Sequence, residues 1–345
     1  MKMFRGLSNW IGMDMGSSQV RIYRENKVIL AEASTVAVDN IDGHVLGFGT
    51  EALIHYHKAP ENISLEWPVQ NGVIADYDMT KAMLRFFIRK SLHHAVSRPT
   101  VMISIPGETS SVTRHALVDA LIHAGAQQHV YLLPSPAAAA IGAGKDMLAP
   151  SVIFSLVIGR DVADAGLYSC GGIVTQEGIP FGGHHIDKGI CQYLQEKYQI
   201  MIGLDQAEKL KSEVISLKAA DGQATFTIRG RRIRDGVEVV VELSTEELRP
   251  VMQRILQPVL KLIRRVLREA KPEMAGDLLK NGLLLSGGSA LLDGLKDWLA
   301  GELHMPVFVP ALPGEVLAMG CYQALGMYKD LPFLIENGEK YYGGA

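Results

Sequence analysis

The chain has 345 residues, of which 48% are hydrophobic and 21% charged, with a formal net charge of −3 and a pI near 6.4. This length and composition allow two domains with buried cores and exclude a disordered chain, and the acidic balance argues against nucleic acid as a partner. Cys170, Cys191 and Cys321 are far apart and outside any C-x-x-C motif, so neither a disulfide framework nor a zinc site is expected and the predicted compartment is reducing cytoplasm. No apolar run reaches the roughly 18 residues of a membrane-spanning helix.

The first ten residues, MKMFRGLSNW, are too short for a secretory signal but separate into two faces when wound as a helix. Met3, Phe4, Leu7 and Trp10 share one face and the basic residues lie opposite, which is typical of a segment in a membrane interface. The alternative is a terminus whose apolar residues pack on the domain. Because a ten-residue helix is marginal in water, we expect it to form on binding.

Residues 11–23 predict two strands joined by a tight turn at Gly16, Ser17 and Ser18. A glycine followed by two hydroxyl residues lets backbone N–H groups converge on an anion. Asp14, one pleat before the turn, can hold a cation beside that anion. The alternative is a tight turn capped by its aspartate.

The following elements predict a parallel crossover between strands. In order they are extended runs at 28–31 and 35–38 that complete a meander, a helix from Asp78, a strand at 100–105, a helix at about 110–125, a strand at 130–133 and a small-residue helix at 136–144. The last helix is expected to pack closely on a neighbour. Its Gly144 and Lys145 do not form a P-loop, because Asp146 replaces the required Ser or Thr.

The second half repeats the strand, turn and strand pattern at 155–169, which predicts two related α/β domains that share a cleft. Helices are predicted from Asp187, Asp205 and Ser244. The basic segment 229–234 indicates a solvated hairpin turn, with a partner site as the alternative. Residues 282–292 predict a buried strand that runs into a glycine pair and a helix, where a flat base can approach the backbone.

Six stretches resemble the motifs of one family, in its order and with nearly its spacings. They are PENISLEWPVQNGVIADYDMT, AAAAIGAG, FGGHHID, AEKLKSE, GLLLSGGSALL and VLAMG. On these motifs the chain resembles, almost end to end, the actin, Hsp70 and sugar-kinase superfamily, and within it the bacterial actin MreB family, as a divergent member. The resemblance implies an α/β, actin-like (ribonuclease H-like) fold with two domains and four subdomains around a central nucleotide cleft, which holds ATP and Mg²⁺.

The resemblance also implies a division of the chain. The expected parts are an amphipathic membrane-binding segment at 1–10, a first domain at 11–150 with a small subdomain inserted at about 33–75, a second domain at 151–330 with a small subdomain at about 187–250, and a tail at 331–345.

Carried over by the resemblance, the nucleotide-binding positions are Asp14, which would also hold the metal, Gly16, Ser17, Ser18, Gly159, Gly182, Gly183, Glu208, Lys211, Gly287, Gly288 and Ser289. Two parts of the site depart from the family pattern. The family's second phosphate loop reads Asp-Ile-Gly-Gly-Gly-Thr-Thr, whereas residues 157–163 read VIGRDVA, so Asp161 places a negative charge where phosphate is expected. Ser135 stands where a glutamate orients the attacking water, and a serine cannot hold that water as a carboxylate does.

We therefore expect an MreB-like filament protein of the cytoplasm, peripheral on the inner face of the membrane, that serves cell shape or spatial organisation. It is expected to bind ATP with degraded or absent hydrolysis, and no residue is assigned as catalytic. The expected partners are further copies of itself, a conventional MreB and rod-complex membrane proteins. The alternatives are a non-filamentous regulator of a true MreB, and an ATP-dependent chaperone or kinase of the superfamily.

Overall fold

The structure, a computed structural model of the chain, describes residues 9–92, 98–127, 129–218 and 225–341. The strands are β1 (Trp10–Met15), β2 (Gln19–Arg24), β3 (Lys27–Ala33), β4 (Val36–Asp39), β5 (Val45–Phe48), β6 (Ile63–Glu66), β7 (Val69–Gln70), β8 (Val73–Ile74), β9 (Thr100–Ile105), β10 (Val130–Pro134), β11 (Ile153–Ile158), β12 (Ala163–Ser169), β13 (Gly172–Ile179), β14 (Ile200–Met201), β15 (Thr225–Arg232), β16 (Glu238–Ser244), β17 (Leu283–Ser286), β18 (Val307–Phe308) and β19 (Glu336–Asn337).

The helices are α1 (Thr50–Lys58), α2 (Tyr77–Ser91), α3 (Ser111–Ala124), α4 (Ser135–Gly142), α5 (Gly183–Tyr198), α6 (Leu204–Lys209), α7 (Thr245–Ile255), α8 (Gln257–Arg268), α9 (Ala275–Asn281), α10 (Leu295–Leu303) and α11 (Val316–Ala324). A π-helical turn at Leu210–Val214 continues α6.

Two mixed sheets with the same plan form the centres of the molecule. The first has the strand order β19-β10-β9-β1-β2-β3, and β1 lies antiparallel to β2 and parallel to β9. The second has the order β13-β12-β11-β17-β18, and β11 lies antiparallel to β12 and parallel to β17. The prediction of two related α/β sheets, each built on a hairpin, is confirmed.

Two smaller sheets, β5-β4-β6 and β14-β15-β16, are inserted into these parts of the chain. The strand β4 therefore pairs with β5 and β6 rather than completing the meander of the first sheet, which ends at β3. In the second small sheet, Arg229 to Arg232 belong to β15, so the basic segment is mostly strand, and the turn follows at residues 233–237.

Local sequence explains where the helices begin. The side chain of Asp76 accepts a hydrogen bond from the Met79 N–H and caps α2 two residues before the predicted start. Ser110 caps α3 in the same way, and the helix begins at Ser111, next to the predicted start. Helix α5 begins four residues before Asp187, because the glycine pair that precedes this residue forms the helix N-terminus rather than a loop.

The helices α4 and α11 cross between the two sheets. Their core cluster includes Met102 and Leu133 from the first sheet and Ile153 and Leu284 from the second. A Cβ atom added at Gly320 would lie 1.8 Å from a backbone oxygen of α4, so the two helices are in backbone contact. The expectation that the small-residue helix packs closely on a neighbour is confirmed, and this crossing joins the two domains.

Candidate nucleotide site

The first hairpin turn lies between β1 and β2 and is held on one side by Ser34. The Ser34 Oγ donates a hydrogen bond to the Gly16 carbonyl oxygen at 2.7 Å, and the Ser34 N–H donates to the Ser18 carbonyl oxygen at 2.9 Å. The Gly16 N–H closes the turn by donating to the Gln19 carbonyl oxygen at 3.0 Å. Ser17 is buried and Ser18 is exposed. The turn is thus a fixed element before any ligand arrives.

Asp14 lies at the end of β1, beside this turn. The hydroxyl of Ser104, on the neighbouring β9, donates to Asp14 Oδ1 at 2.8 Å. Burial raises the pKa of the Asp14 carboxyl, against the opposing effects of the Ser104 hydrogen bond and the charge of Arg21. A divalent cation beside Asp14 would remove this penalty by pairing with the carboxylate.

The second hairpin turn, residues 159–162, is bound to the N-terminus of α5 and to the segment after β17. The Gly159 carbonyl oxygen accepts from the Gly183 N–H at 2.9 Å and from the Ser289 Oγ at 3.2 Å. The Arg160 carbonyl oxygen accepts from the His184 N–H at 2.8 Å. The turn, the start of α5 and the loop after β17 therefore form one unit.

Glycines make this close approach possible. A Cβ atom at Gly182 would lie 2.5 Å from the carbonyl group of Arg160. One at Gly287 would lie 2.4 Å from the Ile158 carbonyl oxygen, and Gly287 has φ of +87°, which disfavours other residues. Gly288 has open space beside its Cα atom. The structure thus brings Gly159, the pair at 182–183 and the segment 287–289 together, as the sequence predicts.

Lys211 and Asp187 form a buried ion pair at the same place. The Lys211 Nζ lies 2.8 Å from Asp187 Oδ1 and donates to the Gly183 carbonyl oxygen at 3.1 Å. Burial raises the pKa of Asp187, the neighbouring Glu208 adds to this, and Lys211 opposes it. Lys211 and Glu208 are predicted site residues, whereas Asp187 is not. Asp187 is the fifth residue of α5 and pairs with Lys211, and it ends the FGGHHID stretch that resembles a family motif.

Ser135 is the first residue of α4 and is buried. It follows directly after β10, whose neighbour β9 carries Ser104 next to Asp14. At this position the structure has a hydroxyl where the family resemblance implies a glutamate.

Three contacts join the second hairpin to the first domain. The Arg160 guanidinium lies over the Trp67 ring at 5.3 Å from its centroid. Asp161 Oδ2 accepts a hydrogen bond from the Asn71 N–H at 3.2 Å, and Asp164 Oδ1 accepts from the Gly107 N–H at 3.2 Å. The pKa of Asp164 is raised to about 7 by burial. These contacts have no signal in the local sequence, because their partners lie far apart along the chain.

The prediction of a membrane-facing helix at residues 1–10 is wrong for its last residue, Trp10. Trp10 is the first residue of β1, opposite Thr100 of β9, and its half-buried side chain packs on the core cluster that contains Tyr131 and Leu325. Strand pairing and burial thus place this indole in the domain. Met3, Phe4 and Leu7 lie outside the described residues.

The described part of the chain contains no cluster of three or more His, Cys, Asp or Glu side chains that could hold a metal ion by themselves. Asp14 offers a carboxylate beside the first turn. Mg²⁺ commonly keeps several waters and binds through one or two carboxylates together with nucleotide phosphates. The site therefore fits a magnesium ion that arrives with a nucleotide and does not fit one held by protein alone.

No helix in residues 9–92, 98–127, 129–218 and 225–341 is long and apolar enough to cross a membrane.

A protein-family model and two curated proteins match nearly the whole chain. The family described as MreB/Mbl protein matches residues 8–332. The cell shape-determining protein Mbl of Bacillus subtilis (strain 168) is 34% identical over 324 residues, covering 93% of this chain and 97% of that protein. The cell shape-determining protein MreB of Escherichia coli (strain K12) is 31% identical over 335 residues, covering 95% of this chain and 96% of that protein.

Solved structures show the same fold. MreB 5 of Spiroplasma citri bound to AMPPNP has a TM-score of 0.86 and 26% identity, over 94% of this chain and 97% of that chain. The MamK double helical filament has a TM-score of 0.75 and 17% identity, over 93% of this chain and 98% of that chain, and this likeness concerns the fold alone. With its actin-like fold and these relatives, the chain belongs to the MreB/Mbl family of cell shape-determining proteins.

Proposed function

We propose that the protein is a cytoskeletal MreB-like protein that assembles into membrane-associated actin-like filaments and binds ATP in the cleft with weak or absent hydrolysis. The observation that carries the nucleotide proposal is the convergence of Gly159, Gly182, Gly183 and the segment 287–289. The related MreB5 of Spiroplasma citri was solved bound to AMPPNP and to ADP, which supports this use of the cleft.

The residues fall into three groups around the proposed nucleotide. The turn at Gly16, Ser17 and Ser18 binds phosphate through backbone N–H and hydroxyl groups. Asp14 holds the Mg²⁺ ion, which neutralises phosphate charge when it is bound. The loop 287–289, with Lys211 and Glu208, borders the nucleoside, where glycines let the base approach the backbone.

Weak hydrolysis is proposed from groups that the site lacks. Ser135 cannot activate water as a positioned carboxylate does, and loss of such a group costs roughly 10² to 10⁴ in rate. Val157, in β11, and Val162, in the second turn, have no side-chain oxygen for a phosphate or its metal, and Asp161 already accepts a hydrogen bond from the Asn71 N–H. The family resemblance implies that this turn binds the terminal phosphates, so we expect ATP and ADP to bind with similar affinity.

Membrane association is proposed from the sequence of the first eight residues. Met3, Phe4 and Leu7 each contribute about 1.5 to 3 kcal/mol when buried, and Lys2 and Arg5 about 1 kcal/mol each on an anionic surface. A single copy would bind weakly after the cost of ordering the chain, and a filament would bind tightly through many copies. The site of action is then the cytoplasmic face of the membrane, with a conventional MreB and rod-complex membrane proteins as candidate partners.

The experiment has two readouts. Electron microscopy of the purified protein, alone and mixed with a conventional MreB, should show filaments in both samples. If the protein alone forms no filaments and shortens those of the conventional MreB, the protein is a regulator and the proposal is wrong. Phosphate release, measured beside the Asp14→Ala variant, should be far below that of a conventional MreB. Turnover comparable to that of a conventional MreB and abolished by the substitution would contradict the proposal of a degraded site.

A further inference from the structure

Three consecutive residues of the second hairpin turn contact one short segment of the first domain, residues 67–72. Arg160 lies over the ring of Trp67, at 5.3 Å from the centroid. Asp161 accepts the hydrogen bond from the Asn71 N–H at 3.2 Å. The next residue, Val162, lies close to Gly72. A Cβ atom added at Gly72 would be 3.1 Å from the Val162 Cγ2 atom. We call this set of contacts the cleft latch.

The segment that receives the turn is preorganised. Asn71 and Gly72 have φ of +51° and +74° and connect β7 to β8, a backbone geometry typical of a tight hairpin turn. The position of the Asn71 N–H is thus fixed by the hairpin. Because little conformational entropy is lost when Asp161 binds it, the hydrogen bond keeps most of its strength.

Burial and charge add to the contact. Asp161 is 8% exposed, so its hydrogen bond with the Asn71 N–H is shielded from competition by water. Arg160 on Trp67 is a cation–π contact, which gains strength where water is excluded. Beside the latch, Pro106 packs on Gly72 and the Gly107 N–H binds Asp164, so the contact continues along the same side of the cleft.

We propose that the cleft latch holds the two domains closed in the absence of nucleotide. A nucleotide closes a two-domain cleft to the extent that it binds the closed form more tightly than the open one. Here the protein makes contacts across the cleft by itself, through the residues that stand in place of the glycines and the threonine of the family's second loop. The closed form is therefore the dominant one without a ligand, and nucleotide binding changes the ratio of closed to open protein only slightly. This proposal does not rest on ATP binding or hydrolysis.

The test measures the distance between the two small subdomains in the full chain. Spin labels are attached at Lys58→Cys and Glu242→Cys, both exposed positions, in a Cys170→Ser background. Distances are recorded without nucleotide, with ADP and with AMPPNP and Mg²⁺. In the labelled protein with the latch residues unchanged, the three distance distributions should coincide. A longer distance in the nucleotide-free sample that shortens with AMPPNP would overturn the proposal.

The matching variants remove the latch and leave the net charge unchanged. Arg160→Ala with Asp161→Ala should give a longer and broader nucleotide-free distribution, with the open fraction raised roughly tenfold or more, as expected for loss of one charge-assisted hydrogen bond. The control is Lys296→Ala with Asp297→Ala, an adjacent exposed pair on α10. Identical distributions in the variant and the control would refute the latch.

A second variant covers the case in which the double alanine variant fails to fold. Trp67→Leu keeps an apolar side chain and removes only the ring beneath Arg160. It should raise the nucleotide-free open fraction by a smaller factor than the double variant, and an unchanged distribution would count against the latch. Filament formation and phosphate release are measured separately, so failure of the latch and failure of the proposed function are distinguishable.

Discussion

The Asp164→Asn variant is expected to be more stable than the wild type, by an amount that grows with pH. Asp164 is 3% exposed, and burial raises the pKa of its carboxyl from 3.8 to about 7. Below pH 3.8 the folded and unfolded chains both carry the proton, so the shift has no effect on stability there. Between this value and about 7 the unfolded carboxyl loses its proton while the folded one keeps it, so the wild type loses stability as the pH rises.

The magnitude follows from the same shift. A tenfold difference in proton affinity corresponds to about 1.4 kcal/mol, so the whole shift is worth on the order of 4 kcal/mol, and about 3 kcal/mol of it accrues between pH 5 and pH 8. An asparagine keeps an oxygen that can accept from the Gly107 N–H and has no charge to bury. The advantage of the variant should therefore be largest at pH 8.

Urea denaturation at pH 5 and pH 8 measures this difference directly. The matched control is Asp297→Asn on the exposed face of α10, whose effect should be the same at both pH values. The reasoning is refuted if Asp164→Asn changes the free energy of unfolding equally at pH 5 and pH 8, because a buried ionisable carboxyl cannot produce that result.

Three further predictions concern packing, the buried ion pair and the membrane. Gly320→Ala should destabilise the protein by about 1 to 3 kcal/mol in thermal denaturation, since the added carbon overlaps a backbone oxygen of α4, whereas Gly276→Ala, in open space, should have little effect. Lys211→Met leaves Asp187 buried without its cation and should cost about 3 to 5 kcal/mol, and a variant as stable as the wild type in urea would show that the pair is not formed. Deletion of residues 1–8 should reduce flotation with anionic liposomes and leave the low binding to neutral ones unchanged, and undiminished binding to anionic liposomes would contradict a membrane role for this segment.

Periodicity and glycine positions were sufficient to predict the two central hairpins and their crossover strands. The strand at Thr100–Ile105 has the predicted bounds, because a compact apolar run closed by Pro106 and Gly107 has one plausible interpretation. The glycine pairs also indicated which backbone segments meet, since such segments can approach closely only where side chains are absent. These signals depend on neighbouring residues in the sequence, so they do not require knowledge of tertiary contacts.

What the sequence did not predict depends on contacts between distant residues. β13 was not expected, because this edge strand is only half buried and its residues alternate weakly between apolar and polar. The helix α6 is capped at Gly203 with the Gln206 side chain rather than at Asp205. Arg160 lies over the ring of Trp67, which is 93 positions away by the numbering of the chain, so no local pattern indicates this contact.

The position of Trp67 also gives the protein an optical reporter. The chain has three tryptophans, and two of them, Trp10 and Trp298, pack on core clusters within the domains. The indole of Trp67 alone faces a guanidinium from the other domain across the cleft. Its emission is therefore sensitive to the loss of a positive charge and to the entry of water when the domains separate. Intrinsic fluorescence of the unlabelled protein can follow cleft opening in solution, in real time and in the presence of filaments or membranes.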